Sequence, residues 1–179
     1  MKNNLKCTFY RTEEVKLREW DNIIGKMKND LEIICEPETA EFEIKCYVHD
    51  LINHAKPLEK NPDMWFFGFD EPHNMPSDAR VDYFYYPTYA ATAILIKAVM
   101  RYPDLLGEAN VYDTLQHCLL ASTGRGFKGH GYEELDGVRD AMDIFLRADT
   151  YRFVKEYAQI CPEFTELFTS VLKMQMNRK

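Results

Sequence analysis

The stretch Pro87-Thr88-Tyr89-Ala90-Ala91-Thr92-Ala93-Ile94-Leu95-Ile96-Lys97-Ala98-Val99-Met100 decides the fold of this chain. From Thr88 to Met100 apolar side chains fall at almost every angle around a 3.6-residue period, with Lys97 the single charge, which predicts a helix buried on most of its surface. Pro87 suits the first turn, where a backbone N–H has no intrahelical partner. A helix that is apolar nearly all round must be covered on every side, so its neighbours are expected to be amphipathic elements wrapped about a central core helix.

Upstream, Leu17, Trp20, Ile24, Met27, Leu31 and Ile34 recur at steps of three and four, predicting a long first helix from Thr12 to about Cys35. Thr12 can cap it, and Glu13 and Glu14 suit its positive end. After Pro37 a second helix is expected over 38–55, with Ile44, Tyr47, Val48, Leu51, Ile52 and Ala55 on one side, joined to the first as an antiparallel hairpin. Downstream, Tyr102-Pro103-Asp104-Leu105-Leu106-Gly107-Glu108 turns the chain into a helix through Val111, Leu115, Cys118, Leu119 and Ser122. Further helices are expected over 132–148, after a cap at Asp149, and from Pro162. The expected fold is all-α, about seven helices packed as antiparallel hairpins in a single domain over 1–179, with 1–11 and 174–179 as disordered termini.

Two segments interrupt the helices. Residues 56–86 carry Pro57, Pro62, Pro72 and Pro76 around Met64-Trp65-Phe66-Phe67-Gly68-Phe69 and Tyr83-Phe84-Tyr85-Tyr86. They read either as a long irregular aromatic loop that plugs into the helices or as a short two-stranded ribbon pairing 64–69 with the alternating segment 80–85. Residues 124–131, Gly-Arg-Gly-Phe-Lys-Gly-His-Gly, hold four glycines in eight positions. Aromatic, glycine and acidic residues precede helices at both places, 65–71 and 126–134. That rhythm is similar in outline to the α/α-toroid architecture of terpenoid cyclases and prenyltransferases. The resemblance spans one loop and its flanking helices and transfers no functional residue, because the aspartate-rich motifs of those enzymes are missing.

Composition narrows the function. The chain of 179 residues has 22 Lys and Arg against 29 Asp and Glu, a net charge of −7, which opposes the counterion-releasing contacts that hold proteins on nucleic-acid backbones. Residues 21–75 alone sum to −7, and no continuous basic stripe exists, so nucleic acid is not an expected partner. The longest apolar run, Ala90 to Ile96, is far short of the roughly 18–20 residues a bilayer needs, and the first residues lack a signal-like apolar core. Five scattered cysteines, at 7, 35, 46, 118 and 161, with no Cys-x-x-Cys pair, read as reduced structural thiols, Cys46 and Cys118 lying on apolar helical faces. The expected setting is the cytoplasm.

Candidate chemistry centres on the glycine-rich stretch. Glycines accept positive φ and expose backbone N–H groups to an anion, and Arg125, Lys128 and His130 add positive charge at the rim. Gly124, Gly126 and Gly129 match Gly-x-Gly-x-x-Gly formally, but a helix rather than a strand precedes them, which excludes the dinucleotide fingerprint. The alternative is structural: Gly124 ends a helix and the others shape a tight connection. His130, with Glu133 or Glu134 behind it, has the chemistry of an acid or base. Trp65 and Phe67 are the aromatic candidates for lining a ligand pocket, against the alternative that they seal the core.

No metal site is expected: His49 and His54 are five apart on different helical faces, and His73 and His117 lack a ligand at i+4. Asp136, Asp140 and Asp143 share a face, a solvated one with Arg139 and Arg147 as neighbours. No cofactor is implied, and no serine sits in a nucleophile elbow. The function expected from these residues is a binding or regulatory module without catalytic chemistry of its own. A small-ligand or phosphate-handling enzyme with its site at 124–131 is the alternative. The partner is another protein or a small anionic ligand, and the oligomeric state is open.

Overall fold

A computed structural model describes Leu5 and residues 20–58, 61–66, 86–124 and 141–177. Its helices are α1 (Trp20–Cys35), α2 (Glu41–Ile52), α3 (Tyr86–Arg101), α4 (Val111–Ala121), α5 (described over 141–147), α6 (Thr150–Glu156) and α7 (Pro162–Met176). Short 3-10 turns cover Pro103–Gly107 and Ala158–Ile160. The one sheet among the described residues is a two-stranded ribbon, β1 (Lys56–Leu58) and β2 (Asn61–Phe66). The all-α class with a short ribbon is thus the observed one.

The helix read from residues 88–100 is the centre of the molecule. Every residue from Pro87 to Met100 except Lys97 is buried, and Tyr89, Ala91, Ala93, Ile94, Leu95, Ile96 and Ala98 have no exposed surface at all. Helix α1 lies along α3 through Met27, Leu31 and Ile34, the face its periodicity marked. The buried side of α2 is Ile44, Tyr47, Val48, Leu51 and Ile52, as its spacing implied, and it meets both α3 and α4. The α1–α2 hairpin is joined internally by Tyr47, whose hydroxyl donates to Asp30 Oδ2 at 2.8 Å. Burial of Asp30 raises its carboxyl above the usual range, against the lowering effect of that hydrogen bond and of the Lys26 charge. On the far side, Phe145 of α5 joins α3 and α7. Its ring lies 5.9 Å from Tyr89, 5.2 Å from Phe164 and 6.4 Å from Phe168, tilted or edge-on to each.

Arg101 closes the α1–α2 connection at the end of α3. Its guanidinium donates to the carbonyls of Ile34 (2.8 Å), Glu36 (2.6 Å), Pro37 (2.7 Å) and Thr39 (2.8 Å). These are carbonyls that the C-terminus of α1 and the following turn leave without helical partners. The Thr39 hydroxyl donates to Ile33 O at 2.5 Å within the same turn.

Several local expectations change. The ribbon partner of 61–66 is 56–58, in antiparallel register Lys56 to Phe66 and Pro57 to Trp65, with an irregularity before Leu58 opposite Asn61. The 80–85 segment, proposed as that partner, lies outside the described residues, as do Thr12, the 126–134 member of the aromatic-glycine rhythm and most of the 65–71 member. Cys46 is exposed, not on the core face: it is two residues from Ile44, about 200° round the helix from the centre of the buried arc. Asp149 stands at the N-cap of α6 with φ 59°, but its carboxylate pairs with Lys97 on α3 rather than capping. Its carbonyl accepts the N–H groups of Arg152 and Phe153 instead.

Candidate functional site

Helix α4 brings together two of the features marked in the sequence. Its buried residues, Val111, Thr114, Leu115, Cys118, Leu119 and Ala121, face the core. On its flank the Trp65 indole of β2 stacks on the His117 imidazole, ring centroids 4.6 Å apart and planes within 16°. The indole Nε1–H donates to Pro62 O at 3.1 Å, which fixes the ring from within its own strand. His117 Nδ1–H donates to Asp113 O, one turn back, at 2.6 Å. A carbonyl only accepts, so Nδ1 carries the hydrogen and Nε2 is the acceptor in the neutral ring. His117 is therefore oriented from below by its own helix and from the side by Trp65, with both rings half-buried. This contact was missed in the sequence because the partner is not at i+4 but fifty-two residues upstream.

Gly124 lies seven residues after His117, just past the end of α4, where the glycine-rich stretch begins. Here the helix ends differently from the sequence reading. Ser122 is the C-cap, with ordinary helical φ and ψ of −68° and −10°, and its hydroxyl donates back to Cys118 O at 2.8 Å. Its oxygen also lies 3.2 Å from Thr92 Oγ1 of α3. Thr123 repeats the device with a bond to Leu120 O at 2.7 Å, and Gly124 N–H donates to Ala121 O at 3.1 Å. Two hydroxyls and a following turn satisfy the terminal carbonyls, so the helix stops without a left-handed glycine immediately after its cap. Of the ligand candidates, Gly124 and Trp65 are placed. Arg125, Gly126, Lys128, Gly129, His130 and Phe67 lie outside the described residues.

A second polar constellation occupies the solvent side of α2. Lys45 Nζ lies 3.0 Å from Glu41 Oε1 and 3.5 Å from Glu108 Oε1, and closer still to Asp104 Oδ2. The other oxygen of Glu108 meets His49 Nε2. The hydrogen bonds that Lys45 donates, first that to Asp104 and then that to Glu41, push its ammonium above its ordinary value, and Lys45 holds Asp104 below its own. The signal in the sequence was the i, i+4, i+8 spacing of Glu41, Lys45 and His49, and the i, i+4 spacing of Asp104 and Glu108.

The cysteines divide by burial. Cys118 is fully buried and its thiol is pushed well up by desolvation. Cys161 is pushed up to about 11 by the same cause, and Cys35, half-buried with Sγ 3.6 Å from Arg147 O, is raised too. These three fit structural thiols. Arg147 bonds Asp143 at 3.0 Å and Glu32 at 2.9 Å, so the described part of the α5 acidic face is exposed and paired with its neighbouring arginine. Among the described residues no three His, Cys, Asp or Glu side chains gather as a metal would need, and no helix is long and apolar enough to cross a membrane. Comparison with protein-family models, with curated proteins and with solved structures finds no match.

Proposed function

We propose that the protein is a helical binding module, without chemistry of its own, that takes a small anionic ligand beside the end of α4. The observation that carries this reading is the Trp65–His117 stack. It seats the aromatic ribbon on α4 at His117, seven residues before Gly124, where the glycine-rich stretch begins. An oriented imidazole and a planar indole offer a hydrogen bond and a stacking surface, and Arg125 and Lys128 supply the charge. That charge is necessary, because the carbonyl end of α4 carries the negative pole of its dipole and by itself repels an anion.

Titration of the wild-type protein with inorganic phosphate and with nucleoside phosphates, read by thermal unfolding, is expected to raise the melting temperature. Arg125→Ala and Lys128→Ala should abolish the rise, and Trp65→Ala should reduce the nucleoside effect more than the phosphate effect. No rise in the wild type defeats the proposal. The alternative of a phosphate-handling enzyme at the same stretch is favoured by one feature, the backbone bond that leaves His117 Nε2 as an acceptor. Phosphorus NMR of the same mixtures separates the two: release of phosphate that disappears in His117→Gln supports the enzyme, and an unchanged ligand spectrum supports the binding module.

A further inference from the structure

The solvent side of α2 points to a second surface, independent of the α4 site. Phe42 is 77% exposed, the most exposed large apolar side chain among the described residues. The core does not need it: the opposite side of the same helix is already closed by Ile44, Tyr47, Val48 and Leu51. One turn further along lie Lys45 and exposed Cys46, and beside them the carboxylates of Glu41, Asp104 and Glu108 surround the single Lys45 ammonium. His49 meets only Glu108 in this group, so the cluster keeps an excess of negative charge whether or not that imidazole is protonated. Glu38, Glu43 and Asp50 are exposed on the same helix and its approach.

The charge selects the occupant. Nucleic acids and the cytoplasmic leaflet of membranes are anionic and are repelled. A second copy meeting this patch across a twofold axis would bring like charge against like. The remaining complement is cationic polypeptide. We infer that the Phe42 face of α2, with Glu41, Asp104 and Glu108, binds a lysine- or arginine-rich segment of a partner protein whose own apolar side chain packs on Phe42. Lys45 and His49 hold the three carboxylates in place, so the incoming cations meet oriented acceptors at the edge of an aromatic anchor, the arrangement in which one buried ring dominates affinity.

Selection of a displayed library of short random peptides on the wild-type protein tests this. The enriched peptides are expected to be basic with an aliphatic or aromatic residue and to bind more weakly as salt rises. Phe42→Ser should weaken them about tenfold or more with an unchanged melting temperature, since an exposed side chain is removed. The double variant Asp104→Asn with Glu108→Gln should weaken them and flatten the salt dependence, whereas Arg125→Ala should leave them bound, which keeps this surface distinct from the anion site. Enrichment of neutral or acidic peptides, equal binding to Phe42→Ser, or no enrichment over an unrelated acidic protein overturns the inference. So does concentration-dependent self-association in sedimentation that Phe42→Ser removes, because the occupant would then be a second copy.

Discussion

Replacing Arg101 by alanine should loosen the joint between α1 and α2 without touching the apolar core. The guanidinium donates to four carbonyls, of which those of Ile34 and Thr39 are part-buried and those of Glu36 and Pro37 are exposed. Water replaces the exposed pair at little cost. The part-buried pair are charge-assisted bonds whose removal leaves acceptors partly shielded from water, at about 1–2 kcal/mol each. The expected loss is therefore about 3 kcal/mol, well below four times the value of a single bond. For a chain of this size that lowers the melting temperature by about 6–12 °C. Arg101→Lys keeps the charge but presents one ammonium where a planar fork reached four oxygens, so it should recover only about half of the loss. Urea unfolding followed by circular dichroism gives the energies, and hydrogen exchange should show faster exchange confined to residues 33–40. An alanine variant within about 0.5 kcal/mol of wild type, or a lysine variant equal to wild type, would refute the reasoning that the fork clamps this turn.

Four further outcomes follow from particular contacts. Asp30 has its carboxyl raised by burial, so its protonated form adds stability below the unfolded value of 3.8 that is lost as pH rises through the folded value. Asp30→Asn should thus be more stable than wild type near neutrality, with the difference shrinking in denaturation series taken toward pH 4. Tyr47→Phe removes the donor to that buried oxygen and should cost about 1–3 kcal/mol at neutral pH, and less in the Asp30→Asn background, a coupling read from a double-mutant cycle. Asn110, with φ 67°, sits where a Cβ is strained: Asn110→Ala should cost about 1 kcal/mol in chemical denaturation and Asn110→Gly close to nothing. Alkylation of the native protein with iodoacetamide, mapped by mass spectrometry, should modify exposed Cys46 readily and spare Cys118 and Cys161 until denaturant is added.

The sequence alone marked the helices that carry the described core and most of the residues on their buried faces. The apolar girdle from Thr88 to Met100 marked the central helix. Steps of three and four marked Met27, Leu31 and Ile34 on α1 and Ile44, Tyr47, Val48 and Leu51 on α2, and Pro162 marked the start of α7. These are legible because burial of a helix face is a property of a short window with a fixed period. Residues that meet across long separations were not legible. Arg101 reads as an ordinary C-terminal cation until the turn 62 to 67 residues earlier is folded against it. His117 lacked a local partner until β2 laid Trp65 on its ring, and β2 itself paired with the three residues just before it rather than with a segment beyond. Asp149 looked like a cap, yet Lys97 took its carboxylate, since an ion pair at the edge of the core competes with a local hydrogen bond and only the packing of α3 against α6 places that lysine within reach. The tertiary structure alone decided these pairings, because a side chain's partner depends on where two distant windows are brought together, and no periodicity within either window encodes that.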